Sequence, residues 1–249
     1  MIPEVVTVAT AEAAAAADLG GRSVLVLDVL RASTTLCRAF ENGAAEAWPA
    51  ADVPAALRWA DELSHAGVLL CGERGGLPIP GFDLGNSPSE YSAERVSGRP
   101  LVFASTNGSR ALLAARGAAR VGIAGLVNAG AAASWAVRGS GPLALLCAGR
   151  EGEESPEDLI GAGAVLRRVL ALIPGVRMDA LSKRALDLRR RADEPGLAAA
   201  LLSTPHGRYL ASLGFERDIA ACADEDALDV VPELQEGRIV AARRAPVWP

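Results

Sequence analysis

Short apolar, β-branched runs alternate along the chain with alanine- and leucine-rich segments of helical period. That rhythm predicts an α/β fold, a largely parallel sheet flanked by helices. Strand-like runs cover 4–8, 23–29, 45–49, 67–71, 100–105, 119–123 and 143–148. Helical spacing covers 31–42, 53–65, 107–116, 128–138, 155–171, 179–190, 196–203 and 206–213, and two short strand-like runs, 228–231 and 238–242, close the pattern. Residues 73–91 break the rhythm, being dense in Gly, Pro, Asn and Asp. A loop that long inside a compact domain is usually functional. A second irregular stretch follows a strand at 149–155, and the charged run 187–195 reads as an exposed helix end. The expectation for 1–249 is one compact unit, with two subdomains and a site in the cleft between them as the other arrangement.

Composition narrows the classes. Half of the 249 residues are hydrophobic, enough to bury a core. No apolar run reaches the roughly 18 residues that span a bilayer, and the first residues lack a basic region followed by an apolar stretch. A cytoplasmic location is therefore expected, without membrane association. Cys37, Cys71, Cys147 and Cys222 are scattered, without CxxC spacing, and read as reduced, buried thiols. The net charge of −5 includes no basic, aromatic-interleaved face, so nucleic acid is not an expected partner. Lys183 is the only lysine, so a bound anion must be held by arginines, backbone amides or a metal.

In open α/β sheets, ligands sit beyond the carboxyl ends of the strands, where helix N-termini offer unpaired amides. After 23–29 comes Asp28-Val29-Leu30-Arg31-Ala32-Ser33-Thr34-Thr35, a carboxylate, an arginine and three hydroxyls opening a helix. An ordinary helix start with Ser33 as cap would look the same. After 67–71 come Gly72-Glu73-Arg74-Gly75-Gly76 and Gly81-Phe82-Asp83-Leu84-Gly85-Asn86-Ser87-Pro88, where Asn86 or Ser87 could cap a turn or touch a ligand. After 100–105 comes Thr106-Asn107-Gly108-Ser109-Arg110, suited to an anion but without the GxxxxGK[ST] of a P-loop. After 143–148, Arg150 precedes Ser155-Pro156-Glu157-Asp158, a helix start whose acids would favour the helix dipole even without function. Oxygen-only carboxylate ligands from several strand ends select a hard cation, magnesium before manganese or calcium.

These segments, DVLRAST, GERGG, GFDLGNSP, STNGSRAL, the 148–158 loop and LGFERDIAAC near the C-terminus, resemble the 2-phosphosulfolactate phosphatases in order and spacing. The similarity covers most of 24–232, and GFDLGNSP is its most specific part. Pro156 departs from it, standing where a larger apolar residue is expected. The resemblance implies an α/β enzyme of family-specific fold that hydrolyses 2-phospho-3-sulfolactate to 3-sulfolactate and phosphate with Mg2+, in coenzyme M biosynthesis. A small anionic phosphorylated substrate is the implied partner, and a symmetric homodimer is compatible with such an enzyme.

Strand-end placement assigns Asp28, Glu73 and Asp158 to the metal, and Asp83 or Glu157 to positioning or deprotonating water. Arg31, Arg74 and Arg150 are expected to hold the substrate's anionic groups, with Ser33, Asn86, Thr106, Asn107 and Gly108 as further contacts. Water attack is preferred to an aspartyl-phosphate on Asp28, since Leu30 stands where a DxD phosphatase has its second acid. His65 and His206 fall in no hydrolase motif, and a catalytic histidine is not expected. The rival readings are a relative acting on another small phosphate, a non-catalytic binder of an anionic metabolite, and a nucleotide-dependent transferase.

Overall fold

The structure is a computed structural model describing residues 2–63, 67–139 and 141–242. The strands are β1 (Glu4–Val8), β2 (Ser23–Leu27), β3 (Glu46–Pro49), β4 (Leu69–Arg74), β5 (Leu77–Pro78), β6 (Pro100–Ala104), β7 (Arg120–Ala124), β8 (Leu143–Cys147), β9 (Arg177–Met178), β10 (Pro232–Gln235) and β11 (Arg238–Ala241). They form one sheet in the order β5-β4-β6-β3-β11-β10-β7-β2-β8-β1-β9. The helices are α1 (Ala32–Glu41), α2 (Val53–Glu62), α3 (Ala93–Val96), α4 (Gly108–Ala114), α5 (Ala129–Arg138), α6 (Pro156–Leu172), α7 (Ala180–Arg191), α8 (Leu197–Ser203), α9 (Pro205–Ser212) and α10 (Glu216–Cys222). None of the described helices is long and apolar enough to cross a membrane.

The sheet holds two parallel blocks, β9-β1-β8-β2-β7 and β3-β6-β4. Between them lies the β10–β11 hairpin, which pairs antiparallel to β7 on one side and to β3 on the other. Its two-residue loop, Glu236-Gly237, has φ of 50° and 85°, the left-handed pair that a type I′ turn requires. Three antiparallel steps separate β7 from β3, so the two blocks run in opposite senses. In a flat sheet the carboxyl ends of β2 and β6 would lie at opposite edges. Here they meet, because a Cβ on Gly108, just past β6, would stand 2.8 Å from Asp28 Oδ2, just past β2. The sheet is therefore strongly curled.

One apolar cluster fills the shared interior, joining Val24 and Val26 of β2 to Cys71, Phe103 and Ile239, with Leu36 and Phe40 of α1 and Leu112 of α4. The alternate β2 residues, Leu25 and Leu27, face a second cluster with α5, α6 and α7. Both faces of β2 are buried, which is why it reads in sequence as an unbroken apolar run.

The predicted strand at 228–231 is a correction. Those residues belong to no strand ladder, and Leu228, Val230 and Val231 are buried against the interior. The strand comes directly afterwards, as β10. Strand β4 runs on to Arg74 and pairs with β5, so the GER segment is strand rather than loop. The predicted end of helix 53–65, including His65, lies outside the described residues. Helix α10 carries no prediction from periodicity, yet it supplies the tie that fixes the C-terminal helices to the sheet. Arg31 Nη1 meets Asp218 Oδ2 at 2.5 Å with both side chains nearly inaccessible. Ser87 Oγ donates to Asp218 Oδ1 at 2.6 Å, Arg31 Nη2 donates to the Gly76 carbonyl at 2.6 Å, and the guanidinium lies 4.2 Å over the Phe215 ring.

Removing one member of a buried pair strands the other charge, at a cost of about 3–5 kcal/mol. Asp218→Ala is expected to lower the unfolding free energy measured by urea denaturation by an amount in that range, and Arg31→Met with Asp218→Leu to recover most of it. All four cysteines are buried and unbridged, and burial pushes the Cys71 and Cys222 thiols up to about 12. A thiol-disulfide reagent should therefore label no cysteine in the native protein and four after denaturation; rapid native labelling would contradict this burial.

Candidate active site

A cavity of about 470 Å³, counted to its open mouth, lies where the ends of β2, β4, β6 and β8 converge beneath α9. It is lined by Asp28, Arg31, Glu73, Asn86, Thr106, Asn107, Arg150 and His206 among others, which suits a small polar ligand. Each acidic group reaches its position through the backbone. The Asp28 amide donates to Ser33 Oγ at 2.9 Å, and Ala32 N donates to Asp28 Oδ1 at 3.3 Å. Ser33 thus shapes the Asp28 turn and does not line the cavity. Both oxygens of Glu73 accept amides, Oε1 from Thr106 at 2.7 Å and Oε2 from Gly76 at 2.8 Å. Asp158 likewise spends both oxygens on amides, Oδ1 on Val29 at 2.8 Å and Oδ2 on Gly149 at 3.1 Å, locking α6 to the ends of β2 and β8.

Helix α6 begins at Ser155, whose hydroxyl accepts the Asp158 amide at 3.4 Å, with Pro156 in the first helical position. The departure at Pro156 is thus compatible with an ordinary helix start. Glu157, in that first turn, is buried, and its Oε1 lies 3.1 Å from His206 Nδ1. Burial alone would raise the Glu157 carboxyl, but the His206 bond, its own amide and the imidazole charge hold it below its usual value. Burial pushes Asp28 up to about 6, with Glu73 and Glu157 adding to the rise and His206 opposing it. Asp158 is raised well above its ordinary value by burial, then by Asp28 and Glu157.

Several expected positions fall elsewhere. Asp83 is exposed, and its Oδ2 accepts the Leu70 amide at 2.8 Å, so it serves the 79–84 loop outside the cavity. Arg74 turns to the carbonyls of Glu73 and Ala104 at 2.7 and 3.2 Å and ties β4 to β6. Asp158, though next to the cavity, does not line it. Thr106 and Asn107 line the cavity, and Gly108 is required there, since a side chain would strike Asp28 and Ala32 at 2.8 Å. His206 is the residue that motif reading missed. Its signal was the Thr204-Pro205 helix start, which places it in the first turn of α9.

The two cavity arginines differ. Arg31 is neutralised by Asp218, whereas Arg150 is partly exposed, lies 4.9 Å over the Tyr209 ring and, among the described residues, has a single 3.9 Å ion pair, with the exposed Glu151. Among the described residues, the buried side-chain oxygens without a partner are Asn86 Oδ1, Thr106 Oγ1 and Glu157 Oε2, all in or beside this cavity. No three His, Cys, Asp or Glu side chains of the described residues form a ready metal cluster. The donors that line the cavity are instead one carboxylate with a free oxygen, Asp28, and the neutral oxygens of Asn86 and Thr106.

A family model for 2-phosphosulpholactate phosphatase matches residues 8–237. A probable 2-phosphosulfolactate phosphatase of Symbiobacterium thermophilum is 40% identical over 225 residues, covering 90% of this chain and 96% of the relative. One from Deinococcus radiodurans is 42% identical over 220 residues (88% and 90%), and one from Carboxydothermus hydrogenoformans is 38% identical over 221 (88% and 90%). The chain belongs to the 2-phosphosulfolactate phosphatase family, enzymes that hydrolyse phosphoric monoesters.

Proposed function

We propose that this protein hydrolyses 2-phospho-3-sulfolactate, or a close multiply anionic phosphomonoester, in the cavity beside Asp28, with Mg2+ as cofactor. The observation that carries the reading is the joint presence of a carboxylate with a free oxygen, unpartnered buried oxygens and an uncommitted arginine in one small cavity of a chain from this family. The donor chemistry fits a hard cation, because every candidate ligand is oxygen. Asp28 Oδ2, Asn86 Oδ1 and Thr106 Oγ1 would hold it. When bound, Mg2+ supplies charge neutralisation for the phosphoryl oxygens.

The chain's own groups supply the remainder. Glu73 is immobilised by two amides and fixes the Thr106 and Gly76 backbone that walls the cavity. Arg31, pinned between Asp218 and Gly76, offers a fixed guanidinium edge and little net charge. Arg150 carries the charge still free to pair with the substrate's sulfonate or carboxylate. Asp28, a carboxylate that lines the cavity, takes the proton of the attacking water.

Chelation should abolish phosphate release from 2-phospho-3-sulfolactate, and added Mg2+ should restore it; full activity in excess chelator would remove the metal from the reading. Asp28→Asn is expected to lower kcat by about 100-fold or more, with an unchanged far-UV circular dichroism spectrum. Losing a charge-assisted contact of roughly 1.5–3 kcal/mol, Arg150→Gln should raise KM about tenfold to a hundredfold for 2-phospho-3-sulfolactate and far less for a phosphomonoester with a neutral tail. A substrate panel in which another small phosphate far exceeds phosphosulfolactate in kcat/KM would reassign the substrate within the same chemistry.

A further inference from the structure

Resting on the phosphatase reading, we propose that His206, held by Glu157, is the proton donor to the departing alkoxide oxygen. The two residues are fixed as a pair, 3.1 Å apart. Thr204 caps α9 by accepting the Gly207 amide at 3.0 Å, and Pro205 occupies the first helical position. A Cβ on Gly207 would lie 2.0 Å from the Leu201 carbonyl, so the first turn of α9 is pressed against the end of α8 and has no room to shift. The His206 ring stacks beside Tyr209, at 6.5 Å between centroids and 28° between planes. Tyr209 is itself anchored by donating to the Gly75 carbonyl at 2.9 Å.

The ring nitrogens have different tasks. Nδ1 is 3.1 Å from Glu157 Oε1, and Nε2 has no hydrogen-bond partner among the described residues. A carboxylate on one imidazole nitrogen fixes the proton there and turns the other nitrogen outward for chemistry. His206 lines the cavity with Asp28, Glu73 and Arg150, so the outward nitrogen serves the same space as the substrate. The acidic groups around it are Asp28, Glu73 and Glu157, and Arg150 is the opposing charge.

The reaction needs such a group. The carbon-bound oxygen of an alkyl phosphate is a poor leaving group unless it receives a proton as the bond to phosphorus breaks. In the proposed step the water oxygen attacks phosphorus, and the bond between phosphorus and the bridging oxygen breaks. Its electron pair stays on that oxygen, which takes the Nε2 proton and leaves as a hydroxyl. One water proton remains on the phosphate and the other passes to Asp28 and then to solvent, from which His206 is reprotonated. Water and monoester thus become alcohol and inorganic phosphate, with no other reactant. Glu157 acts through His206 and is a positioning residue.

The test compares 2-phospho-3-sulfolactate with its phosphorothiolate analogue, in which sulfur bridges carbon and phosphorus. The charges are the same, but a thiolate departs without a proton. His206→Gln and His206→Asn should each lower kcat on the oxygen ester by about 100-fold or more and on the sulfur ester by less than about tenfold. Glu157→Gln should show the same selectivity with a smaller loss. Equal losses on both esters, in variants whose thermal midpoints match the wild type, would overturn the proposal, as would an undiminished kcat on the oxygen ester. Wild-type protein that releases no phosphate from the oxygen ester would instead refute the phosphatase reading itself.

Discussion

Four carboxylates are buried within and beside one cavity, and the surrounding structure is organised around that constraint. An ionised carboxylate taken out of water is costly unless hydrogen bonds or opposite charge replace its hydration. The four meet the cost in three ways. Glu73 and Asp158 take two backbone amides apiece, Glu157 takes a histidine, and Asp28 takes one long amide contact at 3.3 Å. Asp28 is thus the least compensated member that faces the cavity, and burial raises its pKa to about 6. The least satisfied carboxylate in a polar cavity is the one with capacity left for a ligand.

Those amides can converge only because the sheet is curled. Val29 follows β2, Gly149 follows β8, and Thr106 follows β6, and β6 runs opposite to the other two. The C-terminal hairpin inserts the antiparallel steps that reverse the second block, and the shared interior cluster pulls the two blocks together. The hairpin's left-handed Glu236-Gly237 turn is far from the cavity, yet it sets the strand order on which the cavity depends. Fold and site are linked through topology here more than through direct contact.

Much of this was legible in the chain, for identifiable reasons. Buried parallel strands such as β2 and β8 announce themselves as apolar runs, and Asp28, after β2, and Arg150, after β8, line the cavity. The misplacements came from side-chain direction, which spacing does not encode in a loop. Asp83 and Arg74 stand within the expected segments, but Asp83 turns to a strand amide and Arg74 to two carbonyls. The run 228–231 has the composition of a strand because it is buried, not because it is paired. The pairing of His206 with Glu157 was not legible because the two lie 49 residues apart, and only tertiary structure joins them. Asp218 was hidden in the same way, 187 residues from Arg31.

The two cavity arginines show how burial, and not residue type, divides labour in an anion site. A guanidinium already paired with a buried carboxylate presents geometry but little field, since its charge is cancelled at 2.5 Å. Arg31 therefore shapes the cavity wall and contributes little net attraction. Arg150 stands at the mouth with a long, exposed counter-ion that solvent screens, so its field is available to an incoming anion. Burial thus leaves one charge cancelled within the cavity wall and one unneutralised at its edge.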